Sequence, residues 1–256
     1  MNNLVLSIFP GIDLLGRAFE EEGYCVVRGP DLLWGGNIKT FHPPAGVFEG
    51  VIGGPPCQFA SRLRHLNPLA GAKQGNLIPE FERVVAEARP SWWLMENVRE
   101  APEPKVTGYK VHYLMLNNRW LGAVQHRVRR FSFGTASGVI LDVEVALFES
   151  PRSELAVTSS ASKVPVRIGG SGKVKASLKP VTVLAGHGPV GRGRGYENQI
   201  TLAEACELQG LPVGFLDDSP FTVHGKRQVI GNSVPLPMGS AIAKAVRKAI
   251  EKGQAP

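Results

Sequence analysis

The chain is short of cysteine, of long apolar runs and, over one stretch, of acidic residues, and each shortage excludes something. Only Cys25, Cys57 and Cys206 occur, without CxxC spacing or paired histidines nearby. A disulfide framework and a structural zinc site are therefore not expected, and no metal is assigned. No apolar run approaches the roughly 20 residues of a membrane-crossing helix, and the opening "MNNLVLSIFPG" lacks a basic leader. Together these features predict a reduced, cytoplasmic protein without membrane attachment. No GxGxxG follows the first apolar run, which makes a nicotinamide-dependent oxidoreductase a poor fit, and no internal repeat occurs. Between Pro151 and Tyr196 the single acid Glu154 stands against Arg152, Lys163, Arg167, Lys173, Lys175, Lys179, Arg192 and Arg194. With a net charge of +7 and a pI near 9.5, that imbalance favours a polyanionic partner.

What the chain does have is a regular alternation of short apolar runs and amphipathic segments. The runs at 4–9, 24–28, 50–54, 92–97, 111–116 and 129–134 are rich in Val, Ile and aromatics and bounded by Gly or Pro, as buried strands are. Between them "LLGRAFEEEG" and "LIPEFERVVAEARP" place apolar residues at helical spacing, the second with Leu77, Phe81, Val84, Val85 and Ala88 on one face. Alternation of this kind predicts an α/β fold with a doubly wound, mostly parallel sheet. From about Ser137 the composition turns to Ser, Gly, Lys and Arg with short Val-containing alternations. Order returns at "TLAEACELQGLP", where Thr201 and Glu204 form a capping box, and at the closing helical segment "PLPMGSAIAKAVRKAI". The expected division is a catalytic body of residues 1–140 plus 229–256 and a small, mainly β domain over 141–228.

In a doubly wound sheet the ligand lies beyond the carboxyl ends of the strands. The unusual residues fall at those ends: Phe9-Pro10-Gly11, Pro55-Pro56-Cys57 and Glu96-Asn97-Val98. Two prolines fix the backbone before Cys57, and polar Gln58 and Ser61 follow it. That setting is awkward for core packing and good for a presented thiol, the competing reading being a buried small hydrophobe. Arg62, Arg64 or a peptide dipole would raise the thiolate share of a group whose free pKa is roughly 8.5. Glu96 follows Trp92, Trp93, Leu94 and Met95. It reads either as a solvated strand-end carboxylate or as one whose partial desolvation fits it to donate a proton.

The blocks "FPGIDLLGRAF", "GGPPCQFAS", "ENV", "QHRVRRFSFG", "TLAEACELQGLP" and "GNSVP" occur in an order and spacing that resembles the DNA (cytosine-5)-methyltransferases. The likeness covers nearly the whole chain apart from residues 137–195. It implies the S-adenosylmethionine-dependent methyltransferase fold with the small domain as target-recognition region. It also implies transfer of a methyl group to carbon 5 of a cytosine flipped out of double-stranded DNA. Cys57 would add to carbon 6 while Glu96 holds or donates a proton at ring nitrogen 3. Arg129 would bond the extruded base or a phosphate, with Arg127 in support. The loop from Phe59 to Asn76, with Gly71 and Gly75 as hinges, would close over the base.

For S-adenosylmethionine the resemblance implies Phe9, Gly11, Ile12, Asp31, Asn37, Ile38, Pro56, Leu77, Asn232 and Val234. For the nucleic acid it implies Gln58, Ser61, Arg62, Arg64, Arg192 and Arg194. Departures accompany it. Asp13-Leu14 replaces a glycine pair, Asn37 stands where Asp is usual, and the interval from Asp31 to Asn37 is shortened as if a helix were lost. The expected partners are duplex DNA and a cognate restriction endonuclease, with the chain itself a monomer of the compact kind a phage encodes. Two other readings stay open: an RNA (tRNA) cytosine-5 methyltransferase, and a catalytically silent nucleic-acid-binding or regulatory module.

Overall fold

The computed structural model describes residues 3–56, 75–123, 125–146 and 201–253, with the backbone alone at 165–166 and 175–176. The predicted alternation is present. Strand β1 (Leu4–Ile8) leads into helix α1 (Leu14–Glu21) and strand β2 (Cys25–Arg28); β3 (Gly50–Gly53) is followed by α2 (Ile78–Ala88) and β4 (Trp92–Asn97); β5 (Lys110–Asn117) and β6 (Val128–Thr135) complete the sheet. Its order is β2-β1-β3-β4-β6-β5. β2, β1, β3 and β4 run parallel, and β6 is antiparallel to β4. Later come the two-residue strands β7 (Pro165–Val166) and β8 (Lys175–Ala176), which pair antiparallel, and helices α3 (Leu202–Leu208), α4 (Val223–Asn232) and α5 (Leu236–Gly253). Apart from the β7–β8 pair, the expected small β domain falls largely outside the described residues before Thr201.

Both faces of the central strands β1, β3 and β4 are covered, which explains why these read as continuous apolar runs rather than alternations, while of the edge strands β2 is largely and β5 partly exposed. On one face Leu6, Ile8, Val51, Trp93 and Met95 pack against Ile78, Phe81, Val84, Val85 and Ala88 of α2. On the other, Trp92 stacks on Phe19 of α1 with ring centroids 5.8 Å apart, and Phe133 of β6 joins it at 6.3 Å. Gly239 of α5 lies so close to α1 that a Cβ there would sit 2.9 Å from the Cβ of Ala18.

Two glycines make room for the adjacent tryptophans. Gly50 is the cross-strand partner of Trp92 and Gly134 that of Trp93. A Cβ on Gly134 would fall 2.2 Å from the Trp93 ring, inside any allowed contact. Gly134→Ala should therefore cost roughly 2–3 kcal/mol by overpacking. Urea unfolding checks this as a lowered midpoint with an unchanged slope.

The chain divides into two compact units, Met1–Leu116 with Val128–Glu144 and Met238–Pro256, and Asn117–Arg127 with Val145–Pro237. The first holds the sheet with α1, α2 and most of α5. In the second, the Thr201 and Glu204 capping box opens α3, and Gln209 donates through Nε2 to the Ile230 carbonyl at 2.8 Å, tying α3 to α4. Among the described residues no helix is long and apolar enough to cross a membrane. None of their His, Cys, Asp and Glu side chains cluster in threes so as to hold a metal ion.

Candidate active site

The turn after β1 is built from left-handed backbone: Phe9 (φ 54°), Gly11 (φ 58°) and Asp13 (φ 54°). Such conformations are costly for residues other than glycine and persist where the surroundings impose them, often at functional sites. Here the surroundings are the turn after β2. The Gly11 N–H donates to Asp31 Oδ2 at 2.9 Å, and the Trp34 indole N–H donates to the Gly11 carbonyl at 2.7 Å. Asp31 Oδ1 accepts the Leu33 N–H at 2.8 Å and caps a short 3-10 turn. Each carboxylate oxygen holds one backbone amide and keeps a lone pair for a further donor.

Beside this turn lies a cavity of about 260 Å³, lined by Phe9, Pro30, Asp31, Leu32, Gly36, Asn37, Ile38, Lys39, Pro56 and Leu77. It stands near the lower end of the range for small-molecule sites, about 300 Å³. Phe9, Asp31, Asn37, Ile38, Pro56 and Leu77 are six of the residues that the resemblance assigns to the cofactor. Their chemistry fits an adenosyl group: apolar walls for a purine, and a carboxylate for ribose hydroxyls. A Cβ on Gly11 would meet nothing within 4 Å, so that backbone is open to close approach by a ligand. Gly11 and Ile12 belong to the turn itself. Asn232 and Val234 belong to the second unit, where Asn232 ends α4 and Val234 is buried.

Asp13, one of the departures from the resemblance, caps α1 through a bond from the Gly16 N–H at 3.1 Å. Ser7 Oγ donates to the same oxygen at 2.8 Å, and Arg28 Nε lies 2.9 Å from the other. Burial outweighs these partners and pushes the carboxyl from an ordinary 3.8 up to about 6. Because the folded protein holds this proton more tightly than the unfolded chain, the group's contribution to stability is full below about pH 4 and is lost as pH rises through 6. The difference is on the order of 3 kcal/mol. Asparagine tolerates both the left-handed conformation and the N-cap. The stability of Asp13→Asn relative to the parent should therefore rise by about that amount between pH 4 and pH 7. Chemical denaturation at the two pH values measures it.

The second cluster sits at the carboxyl end of β4. Glu96 is buried, and its Oε1 lies 2.8 Å from Nε of Arg129 on β6. Arg129 also donates to the Val128 carbonyl at 2.9 Å. The other Glu96 oxygen faces Gly54, where a Cβ would stand only 3.1 Å from it. Asn97 donates through Nδ2 to the Pro55 carbonyl at 3.1 Å, fastening the end of β4 to the segment that leads into position 57. Of the two sequence readings of Glu96, the solvated strand-end carboxylate does not describe this one. Cys57, Gln58, Ser61, Arg62, Arg64, Arg192 and Arg194 lie outside the described residues. Arg127 is in the second unit, 2% exposed, donating through Nη2 to the carbonyls of Gly231 at 2.9 Å and Ser233 at 3.0 Å. Its position there is that of a brace for the "GNSVP" turn.

Sequence reading passed over Trp34, Lys39 and Arg83. Trp34 and Lys39 had a signal, since they flank Asp31 and Asn37 closely. Arg83 had none that points to the cavity, because the carbonyls it holds there are 45 and 42 residues away.

Residues 36–179, more than half of the chain, match the family of C-5 cytosine-specific DNA methylases. The chain belongs to that family. Among curated relatives, the type II methyltransferase M.HgiDI of Herpetosiphon aurantiacus is 33% identical over 116 residues, 41% of this chain and 35% of its own. M.AquIA of Picosynechococcus sp., also named a type II methyltransferase, is 37% identical over 190 residues, 54% of this chain and 74% of its own. The matches span between 35% and 52% of the length of four such relatives. The S. pombe Dnmt2 methyltransferase superposes with a TM-score of 0.60 at 14% identity, covering 98% of this chain and 99% of that one. At that identity the likeness bears on the fold alone, and the mixed six-stranded sheet flanked by helices fits the fold of the S-adenosylmethionine-dependent methyltransferases. Membership in the C-5 cytosine methylase family thus rests on the sequence match, and the architecture is consistent with it.

Proposed function

We propose that the chain is a DNA (cytosine-5)-methyltransferase acting at a short sequence of duplex DNA. The observation that carries this reading is the pairing of buried Glu96 with half-buried Arg129, set against Gly54 three residues before Cys57. S-adenosylmethionine, when bound, supplies the methyl group as an electrophile. Phe9, Ile38 and Leu77 would hold its purine, and Asp31 its ribose. The Cys57 thiolate adds to carbon 6 of the cytosine, which pushes electron density toward carbon 5. Glu96 holds a proton at nitrogen 3, so the ring accepts those electrons without building a full negative charge. Arg129 orients the carboxyl and reaches the base or its phosphate. After carbon 5 has been methylated, loss of its proton to a base restores the double bond and expels the Cys57 sulfur. Extracting the cytosine from its stack costs a few kcal/mol, offset by contacts within the pocket. The basic segment within 141–228 provides phosphate contacts and reads the target.

Methyl transfer to duplex DNA, single-stranded DNA and transfer RNA, each with labelled S-adenosylmethionine, tests the reading. Bisulfite sequencing of the DNA product then locates the modified base. Modified cytosine confined to one short duplex motif is the expected result. Label in transfer RNA alone would move the activity to the RNA branch, and label in none would favour the silent binding module. A cognate endonuclease encoded alongside would place the enzyme in a restriction system, with the methylated motif protected from cutting.

A further inference from the structure

Asn37, Ile38 and Lys39 form a wall of the cavity, yet they lie in a connection between β2 and β3 that has only 3-10 turns. No strand ladder holds that wall. Arg83, on α2, does. Its Nη2 donates to the Ile38 carbonyl at 2.7 Å and its Nη1 to the Phe41 carbonyl at 3.0 Å, one contact at each end of the 3-10 turn Ile38–Thr40. Two carboxylates on the same helix also pair with the guanidinium: Glu80 accepts from Nε at 2.9 Å and Glu87 from Nη1 at 2.9 Å. Only a planar fork with several N–H donors satisfies two carboxylates and two carbonyls at once. Leu77, the residue that caps α2, lines the same cavity. The helix therefore supplies one wall directly and secures another through Arg83.

We propose that Arg83 is a positioning residue that sets the affinity of the cavity for its adenosyl ligand. It acts through the backbone of Ile38 and Phe41 and does not itself contact the ligand. The inference rests on the reading of this cavity as the adenosyl site. Releasing the turn lets Asn37 and Ile38 leave the geometry that faces the purine, and the loss falls on binding rather than on the chemical step.

Calorimetric titration of the full-length protein with S-adenosylhomocysteine, paired with steady-state kinetics in S-adenosylmethionine, tests it. Arg83→Met should weaken binding about tenfold, the loss of roughly one charge-assisted hydrogen bond. KM for S-adenosylmethionine should rise in step, with kcat at saturation within about twofold of the parent. Glu80→Gln removes an ion pair from the same guanidinium but leaves both carbonyl contacts, and should bind within about twofold of the parent. Unchanged affinity in Arg83→Met overturns the proposal. So does an equal loss in Glu80→Gln, since that would trace the effect to helix stability. Should Arg83→Met fail to fold, Arg83→Lys keeps a charge for Glu80 and Glu87 but cannot span both carbonyls. Weaker binding by that variant supports the proposal, and parental affinity overturns it. A parent protein that binds neither adenosyl compound would instead overturn the reading of the cavity itself.

Discussion

Replacing Cys57 by serine should abolish methyl transfer, lowering turnover by at least about a thousandfold. Carbon 5 of cytosine is a poor nucleophile, and the proposed route to activate it is addition of an anionic sulfur at carbon 6. A thiol with a pKa of roughly 8.5 is a few per cent ionised at neutral pH, and neighbouring positive charge raises that share. A serine hydroxyl has no comparable anionic population. The substitution changes one atom, so DNA binding should stay near that of the parent, as measured by retardation of the duplex on a gel. Turnover within tenfold of the parent would mean that position 57 is not the nucleophile.

Glu96→Gln should lower kcat by about 10²- to 10⁴-fold, the range for loss of a positioned proton-transfer group. Glutamine keeps the shape of the side chain beneath Gly54 but cannot carry the carboxyl proton. The same change leaves the half-buried Arg129 without its anionic partner, which carries a stability penalty of about 1–3 kcal/mol. Turnover must therefore be compared at equal folded fraction, with near-ultraviolet circular dichroism as the check. A double variant, Glu96→Gln with Arg129→Met, relieves the unpaired charge while removing both groups proposed to act on the base. It should recover stability without recovering turnover. Recovery of turnover would assign Glu96 a structural role, neutralising Arg129.

The central strands β1, β3 and β4 were legible because each is a short apolar run next to glycine or proline, and burial on both faces leaves that pattern unbroken. Of the edge strands, β2 is largely and β5 partly exposed, and they stood out by their Val and aromatic content alone. The helix α4 was not legible. It buries only Val229, Ile230 and Gly231, and the stretch His224–Gln228 before them is polar with a glycine, so helical periodicity is faint. At the site, the positions that gather around the cavity were readable because they follow strand ends. Their bonding was not. Asp31 supports the Gly11 turn through its own carboxylate, and Asn37 Oδ1 accepts the Lys39 N–H at 3.1 Å. Such contacts depend on how two turns meet, which no local pattern encodes. The Glu96–Arg129 pair likewise required the antiparallel register that sets Glu96 opposite Phe131, two residues beyond Arg129. The two open readings of Glu96 could be separated only by knowing what β6 places beside it.

The central claim is a transient bond between the Cys57 sulfur and a cytosine ring, and one measurement addresses it directly. A duplex carrying 5-fluorocytosine in the methylated motif is incubated with the protein and S-adenosylmethionine, then denatured and digested. Fluorine cannot leave as the proton does, so the adduct is trapped. The account predicts a cofactor-dependent complex that survives denaturation, with mass spectrometry locating the nucleotide on the peptide that contains Cys57. Normal methylation of the unfluorinated duplex with no trapped complex, or an adduct on any other residue, would contradict it.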